Sequence, residues 1–193
     1  MITVGLTGGI GAGKSIVARI LIEMGYKIFN SDLEARQIMN NDPLVRRQLI
    51  ELLGEGIYTP EGLNRTLVAE KIFSDHQLRE QINAIVHPVT RAAFEAFKDD
   101  LANQKDLVFN EAAILFETGA YKRFDKVVLV IAPEELRLKR VMTRDNSSET
   151  ETKARIKAQW SDEEKIKLAD FTIVNDEKKP LLKQIESMIN SLR

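Results

Sequence analysis

Apolar residues along the chain fall into two rhythms: short continuous runs, and longer stretches where they recur every three or four positions. Ile2 to Thr7 is an apolar and β-branched run closed by Gly8-Gly9, which predicts a strand buried on both faces. After the glycines, Val17, Ile20, Leu21 and Met24 recur at helical spacing, and Gly25 supplies a stop. Tyr26 to Phe29 predicts a second strand, so the chain opens as strand, glycine loop, helix, strand. Compact runs at Asp106 to Glu111, Lys126 to Ile131 and Asp170 to Val174 predict three more strands, separated by helical pattern. Continuous apolar strands alternating with helices indicate an α/β fold: a three-layer sandwich around a five-stranded parallel sheet.

The runs are unevenly spaced. No strand is predicted between Asn30 and Lys105, which is far more chain than one crossover helix needs. Val68, Ile72, Leu78, Ile82 and Ile85 keep helical spacing there, with breaks at Gly54, Gly56, Pro60 and Gly62. This predicts a helical lobe inserted over about residues 33–104. A second helical stretch, Glu134 to Leu168, is dense in charge and predicts a lid over about residues 136–168. The core then comprises about 1–32, 105–135 and 169–193 of a single domain, since no repeat or linker divides the chain.

Composition narrows the chemistry. The absence of cysteine excludes disulfides, thiolate zinc sites and a cysteine nucleophile. Lys plus Arg number 28 and Asp plus Glu 29, so the basic excess of a nucleic-acid binder is missing and any positive field is local. No window of 18 uninterrupted apolar residues exists, and the N-terminus lacks a basic leader and cleavage site. The expectation is a cytoplasmic globular enzyme with no nucleic acid, membrane or obligate protein partner.

Gly8-Gly9-Ile10-Gly11-Ala12-Gly13-Lys14-Ser15 satisfies G-x-x-x-x-G-K-[ST] and lies between a predicted strand and helix, where a P-loop must lie. A triphosphate is held by backbone N–H groups, so side chains must stand aside and some residues must reach positive φ. The helix start adds its own N–H groups and dipole, through Ile16. Lys14 is expected on the β- and γ-phosphates of ATP, and the Ser15 hydroxyl on Mg²⁺. A glycine turn joining strand to helix would not need Lys then Ser.

A P-loop alone does not separate a small-molecule kinase from a nucleotide switch. Asp32, in Asn30-Ser31-Asp32 at the end of the second strand, is placed to act as general base toward an acceptor hydroxyl; equally, Ser31 or Asp32 begins the next helix as a cap. Arg137, Arg140 and Arg144 share one helical face and suit the charge of phosphoryl transfer, while Glu134, Glu135 and Asp145 allow a solvated ion-pair face instead. No N-K-x-D tetrapeptide of GTP-specific proteins is present. The kinase reading leads, ahead of an ATP- or GTP-hydrolysing switch protein.

These residues resemble the dephospho-coenzyme A kinase family almost end to end. Leu6-Thr7-Gly8-Gly9-Ile10 leads into the P-loop as in that family, and Asp32 with Ala35-Arg36 looks like its Asp-x-x-Ala-Arg segment. Gly62-Leu63-Asn64-Arg65, Ile85-Val86-His87-Pro88 and Leu115-Phe116-Glu117 match further signatures. Arg140, Arg144-Asp145, Arg155-Ile156 with Gln159, and Ala169-Asp170 with Asn175 follow in the family's order. The resemblance implies a P-loop nucleoside triphosphate hydrolase-type fold with a helical substrate lobe and a helical lid. It implies transfer of the ATP γ-phosphoryl group to the ribose 3′-hydroxyl of dephospho-coenzyme A; a kinase of another metabolite or nucleotide is the alternative. By the same carry-over Asp32 is the base, and Arg140 is a phosphate-binding lid residue assisted by Arg144. Arg36, Arg65 and His87 then contact the acceptor. Judged by its neighbours alone, His87 is a helix-terminal residue fixed by Pro88, and His76 stays on the surface. Ile16, Glu111, Ala113 and Asn64 stand where the family has Thr, Asp, Pro and Asp. Glu111 keeps a carboxylate for a water-mediated Mg²⁺ contact, and Asn64 puts one ion pair in doubt.

Overall fold

The computed structural model of the chain describes residues 1–72, 75–101 and 107–193, with only the backbone of His76. Asp106, expected at the head of the third strand, and the His76 side chain lie outside the described residues. In chain order the first elements are β1 (Ile2–Gly8), α1 (Lys14–Glu23), β2 (Lys27–Asn30), α2 (Ser31–Asn41) and α3 (Pro43–Leu53). The strands β3 (Tyr58–Thr59) and β4 (Gly62–Leu63) precede α4 (Arg65–Ile72) and α5 (His76–Asp99). Then follow β5 (Leu107–Glu111), β6 (Lys126–Ile131), α6 (Glu134–Asp145), α7 (Glu149–Lys157), α8 (Asp162–Ile166), β7 (Phe171–Val174) and α9 (Leu181–Leu192). They form two compact units, one of Met1–Asn30 with Ala102–Arg193 and one of Ser31–Leu101.

The first unit holds a five-stranded sheet in the order β2-β5-β1-β6-β7, every pair parallel, as the apolar runs predict. Side chains alternate across a strand. Val128 and Val130 therefore join a core with Val17, Leu21, Ile185 and Met188 of α1 and α9. Val127 and Leu129 pack on the other face with Phe116. Both faces are apolar, so β6 reads as an unbroken hydrophobic run. Helix α9 begins after Pro180 and buries Ile185, Met188, Ile189 and Leu192, one stripe at helical spacing. Gln184 on the same helix exchanges two hydrogen bonds with the Val174 backbone, satisfying groups of β7 that no further strand covers.

The second unit is helical around Ile38, Val45, Leu49, Leu53, Ile57, Ile82 and Val86. Asp42 caps α3 by accepting from the N–H groups of Leu44 and Val45, with Pro43 in the first helical turn. The structure differs from the sequence reading in one respect here: β3 and β4 form a small antiparallel hairpin where no strand was expected. Two-residue strands carry no alternation long enough to read. Asn64, in place of an acid, still accepts from the Leu67 N–H at the start of α4, so the helix keeps its polar start without a charge.

The helical stretch Glu134 to Leu168 comprises three helices. Asn146 takes a left-handed conformation and ends α6. Capping boxes Ser148 with Glu151 and Ser161 with Glu164 then start α7 and α8.

Candidate active site

The carboxyl ends of β1, β5 and β2 lie side by side, with Glu111 in register with both Leu6 and Asn30. Ligands of open parallel sheets gather at this edge. From the end of β1 the chain turns through the Gly8–Ser15 loop into α1. Within the loop the Ala12 N–H donates to the Gly9 carbonyl and the Ile16 N–H to the Gly13 carbonyl, 3.0 Å each. Gly13 sits at φ +95°, and a Cβ there would collide with the Asn175 side-chain amide, so only glycine fits. The Lys14 stem folds back along the loop, its Cγ 3.2 Å from where a Gly8 Cβ would be.

Three consecutive loop carbonyls are held from outside. Arg137 Nε donates to Ile10 O at 3.0 Å, Arg140 Nη1 to Gly11 O at 3.3 Å, and Asn175 Nδ2 to Ala12 O at 2.8 Å. In a trans peptide the next N–H points opposite to the carbonyl. The Gly11 and Gly13 amides are thereby turned away from these side chains and suit an anion cradle, while the Ala12 N–H is spent on the Gly9 carbonyl within the turn.

Beside the cradle, the Ser15 hydroxyl donates to Glu111 Oε1 and Asn30 Nδ2 donates to Oε2, both at 2.9 Å. Glu111 is buried, 5% exposed, and its side chain reaches the loop serine. A hard divalent cation takes oxygen ligands. Ser15 and Glu111 supply such oxygens, and among the described residues no group of three His, Cys, Asp or Glu forms a separate metal cage. The donor set therefore fits Mg²⁺ shared with phosphate oxygens and water.

The arginines of α6 grade from buried to exposed. Arg137 is 6% exposed and pairs with Asp162 at 3.3 Å. Arg140, expected over the phosphates as a lid residue, is committed to the back of the loop: besides Gly11 it donates through Nη2 to Asn175 O and Glu177 Oε1. Arg144 is exposed and makes a two-point bond to Asp145, whose other partner is Arg155 at 2.6 Å. These guanidinium hydrogen bonds hold the Asp145 carboxyl far below its ordinary range and raise Arg144 above its own. The anchoring by Asn175, Glu177, Gln159 and Asp162 was not assigned from the sequence. Gln159 and Asn175 entered only through the family's order, without a role.

The remaining candidates lie in the second unit. Asp32 is half-buried in the first turn of α2, and Arg36 follows one turn later on the same helix. Arg65 opens α4; burial and the positive charge of Arg36 lower its pKa. His87 is half-buried inside α5, followed by Pro88, so it is mid-helix and not helix-terminal. Ile16 projects into solvent at 51% exposure, where the loss of a hydroxyl leaves the backbone of the cradle unchanged.

Residues 2–180 match the family described as dephospho-CoA kinase, CoaE. A dephospho-CoA kinase of Bacteroides fragilis is 40% identical over 188 residues, covering 97% of this chain and 91% of that protein. A solved structure from Thermus thermophilus superposes with a TM-score of 0.82 at 33% identity, covering 99% of this chain and 95% of that one. Dephospho-CoA kinase from Campylobacter jejuni gives a TM-score of 0.70 at 27% identity, covering 98% and 96%. The cradle, the parallel sheet that carries it and these full-length similarities agree: the chain belongs to the dephospho-CoA kinase family.

Proposed function

We propose that the protein transfers the γ-phosphoryl group of ATP to the ribose 3′-hydroxyl of dephospho-coenzyme A, giving coenzyme A and ADP. The observation that carries this reading is the Gly8–Ser15 loop, whose carbonyls at Ile10, Gly11 and Ala12 are turned outward onto side chains within a chain matched to the family from residue 2 to 180.

The ATP phosphates lie along the loop amides, with the Lys14 ammonium on the β- and γ-phosphates. Ser15, and Glu111 through water, would hold Mg²⁺, which would supply neutralisation of the phosphate charge. Residues 31–101 serve as the acceptor lobe. There Asp32 orients the acceptor hydroxyl and takes its proton as the 3′ oxygen bonds to the γ-phosphorus, while the β–γ bridging bond breaks and ADP leaves. Arg36 and Arg65 bind the pyrophosphate of the acceptor, with His87 as a further contact. Residues 136–168 serve as a lid. In it Arg144 exchanges Asp145 for the γ-phosphate, while Arg140 adds positive charge from behind the loop.

The test is ADP release from MgATP with and without dephospho-coenzyme A, with the product identified by mass. Acceptor-dependent release with one added phosphate is expected; release independent of the acceptor would leave a nucleotide hydrolase instead. Asp32→Asn is expected to lower turnover by about 10²–10⁴ with ATP affinity nearly unchanged. Wild-type turnover in that variant would remove Asp32 as the base.

A further inference from the structure

The glycines that let the loop wrap a phosphate also leave it free to misfold locally. Ile10 stands between Gly9 and Gly11, residues for which peptide rotation meets little steric resistance. If the Ile10–Gly11 peptide turned over, a carbonyl would replace the Gly11 N–H in the cradle and repel an anion. Something must hold the two peptide planes that flank Ile10.

Both are held, and from the same part of the chain. The Ile10 N–H donates to Gln159 Oε1 at 2.8 Å, and the Ile10 carbonyl accepts from Arg137 Nε at 3.0 Å. The acceptor oxygen of Gln159 must face this N–H, because its amide nitrogen has nothing to donate to there. Arg137 also lies flat on Gly9, where a Cβ would run into the guanidinium. Arg137 is then braced by Asp162, three residues beyond Gln159 in the connection that starts α8. Asp162 is a costly brace: burial raises its carboxyl pKa, and its Oδ1 is buried without a hydrogen-bond partner among the described residues. Asp162 also faces Lys165, itself 1% exposed and paired with Glu117 at 2.9 Å. A buried network of this kind, joined directly to the loop, is poorly explained as a solvated charged face.

We propose that Gln159 and Arg137, the latter braced by Asp162, are positioning residues that fix the peptide planes around Ile10 and thereby keep the loop amides aimed at the nucleotide. The clamp touches no reacting atom. It acts through the loop, and it ties nucleotide binding to the segment between α7 and α8. This deepens the phosphate-binding reading and rests on it.

The test compares Gln159→Leu, which removes the acceptor at nearly constant volume, with Gln159→Glu, which retains one. Gln159→Leu is expected to raise the KM for ATP about tenfold while the KM for dephospho-coenzyme A moves less than about twofold, and Gln159→Glu to restore most of the loss. In ¹⁵N NMR without nucleotide, the Ile10 amide of the wild type should be protected from exchange and that of Gln159→Leu should not. Arg137→Lys, which keeps the charge but loses the fork, should likewise raise the KM for ATP. A Gln159→Leu protein that lowers Tm yet keeps the wild-type KM for ATP would show a merely structural contact and overturn the inference alone. A wild type that binds no nucleotide would overturn the functional reading and this inference with it.

Discussion

The two units of the chain arrange their polar groups by different means. In the first, groups of the Gly8–Ser15 loop are tied down from outside: three carbonyls to Arg137, Arg140 and Asn175, one amide to Gln159, and the serine hydroxyl to Glu111. In the second, Asp32, Arg36, Arg65 and His87 sit on helices of a unit whose described residues share one apolar core. A phosphate chain has one shape and one charge pattern, so a rigid cradle loses nothing by being fixed in advance. On the proposed function, an organic acceptor demands contacts made with side chains, and these would come from the second unit. The contrast predicts that changes in the first unit act on ATP and changes in the second on the acceptor.

The largest effect should break that division most visibly. Lys14→Met should lower turnover by about 10³ or more with the fold intact, seen as unchanged circular dichroism and Tm, because charge stabilisation of the transferring group is lost. Arg65→Ala is expected to raise the KM for the acceptor about 10- to 100-fold, the worth of a charge-assisted hydrogen bond, and to leave the KM for ATP alone. Equal rises in both constants would erase the distinction between the units. Stability offers a smaller comparison. Leu129→Ala in the sheet core and Leu49→Ala in the helical unit, positions 0% and 1% exposed, should each cost about 2–5 kcal/mol in denaturant titrations. If the units unfold separately, each variant shifts only its own transition. The smallest effect concerns pH. Asp145 has its carboxyl pKa depressed below the ordinary 3.8 by Arg144 and Arg155. Its contribution is therefore present above that value and lost as pH falls toward the lowered one. Asp145→Asn should flatten the acid limb of stability below about pH 4 and leave neutral stability nearly unchanged, since these pairs are solvent-screened.

Much of the site was legible because its signal is local. The loop reads from Gly8 to Ser15 without coordinates, since the glycines, lysine and serine each answer a requirement of one bound phosphate chain. The long helical stretch was less legible, although its divisions are written in the sequence: Ser148 with Glu151 and Ser161 with Glu164 are capping boxes that charge density obscured. The hairpin of β3 and β4 left no period to detect. Gln159 and Asn175 stood in the sequence as matches to the family's order without a role, and Asp162 not at all, because their partners are not near them in the chain. Their partners Ile10, Arg137 and Ala12 lie 149, 25 and 163 residues away.

The sequence by itself determined the sheet and the chemistry of the cradle, since apolar runs choose strands and a phosphate chooses glycine, lysine and serine. Tertiary structure alone decided which arginine does what. Arg137, Arg140 and Arg144 share one helical face and look interchangeable in the sequence. Once α6 packs against the loop, one is buried against Ile10, one is fastened to Gly11 and Glu177, and one is left in solvent beside Asp145. Helical spacing fixes which side a residue faces, but only the neighbour on that side fixes its role.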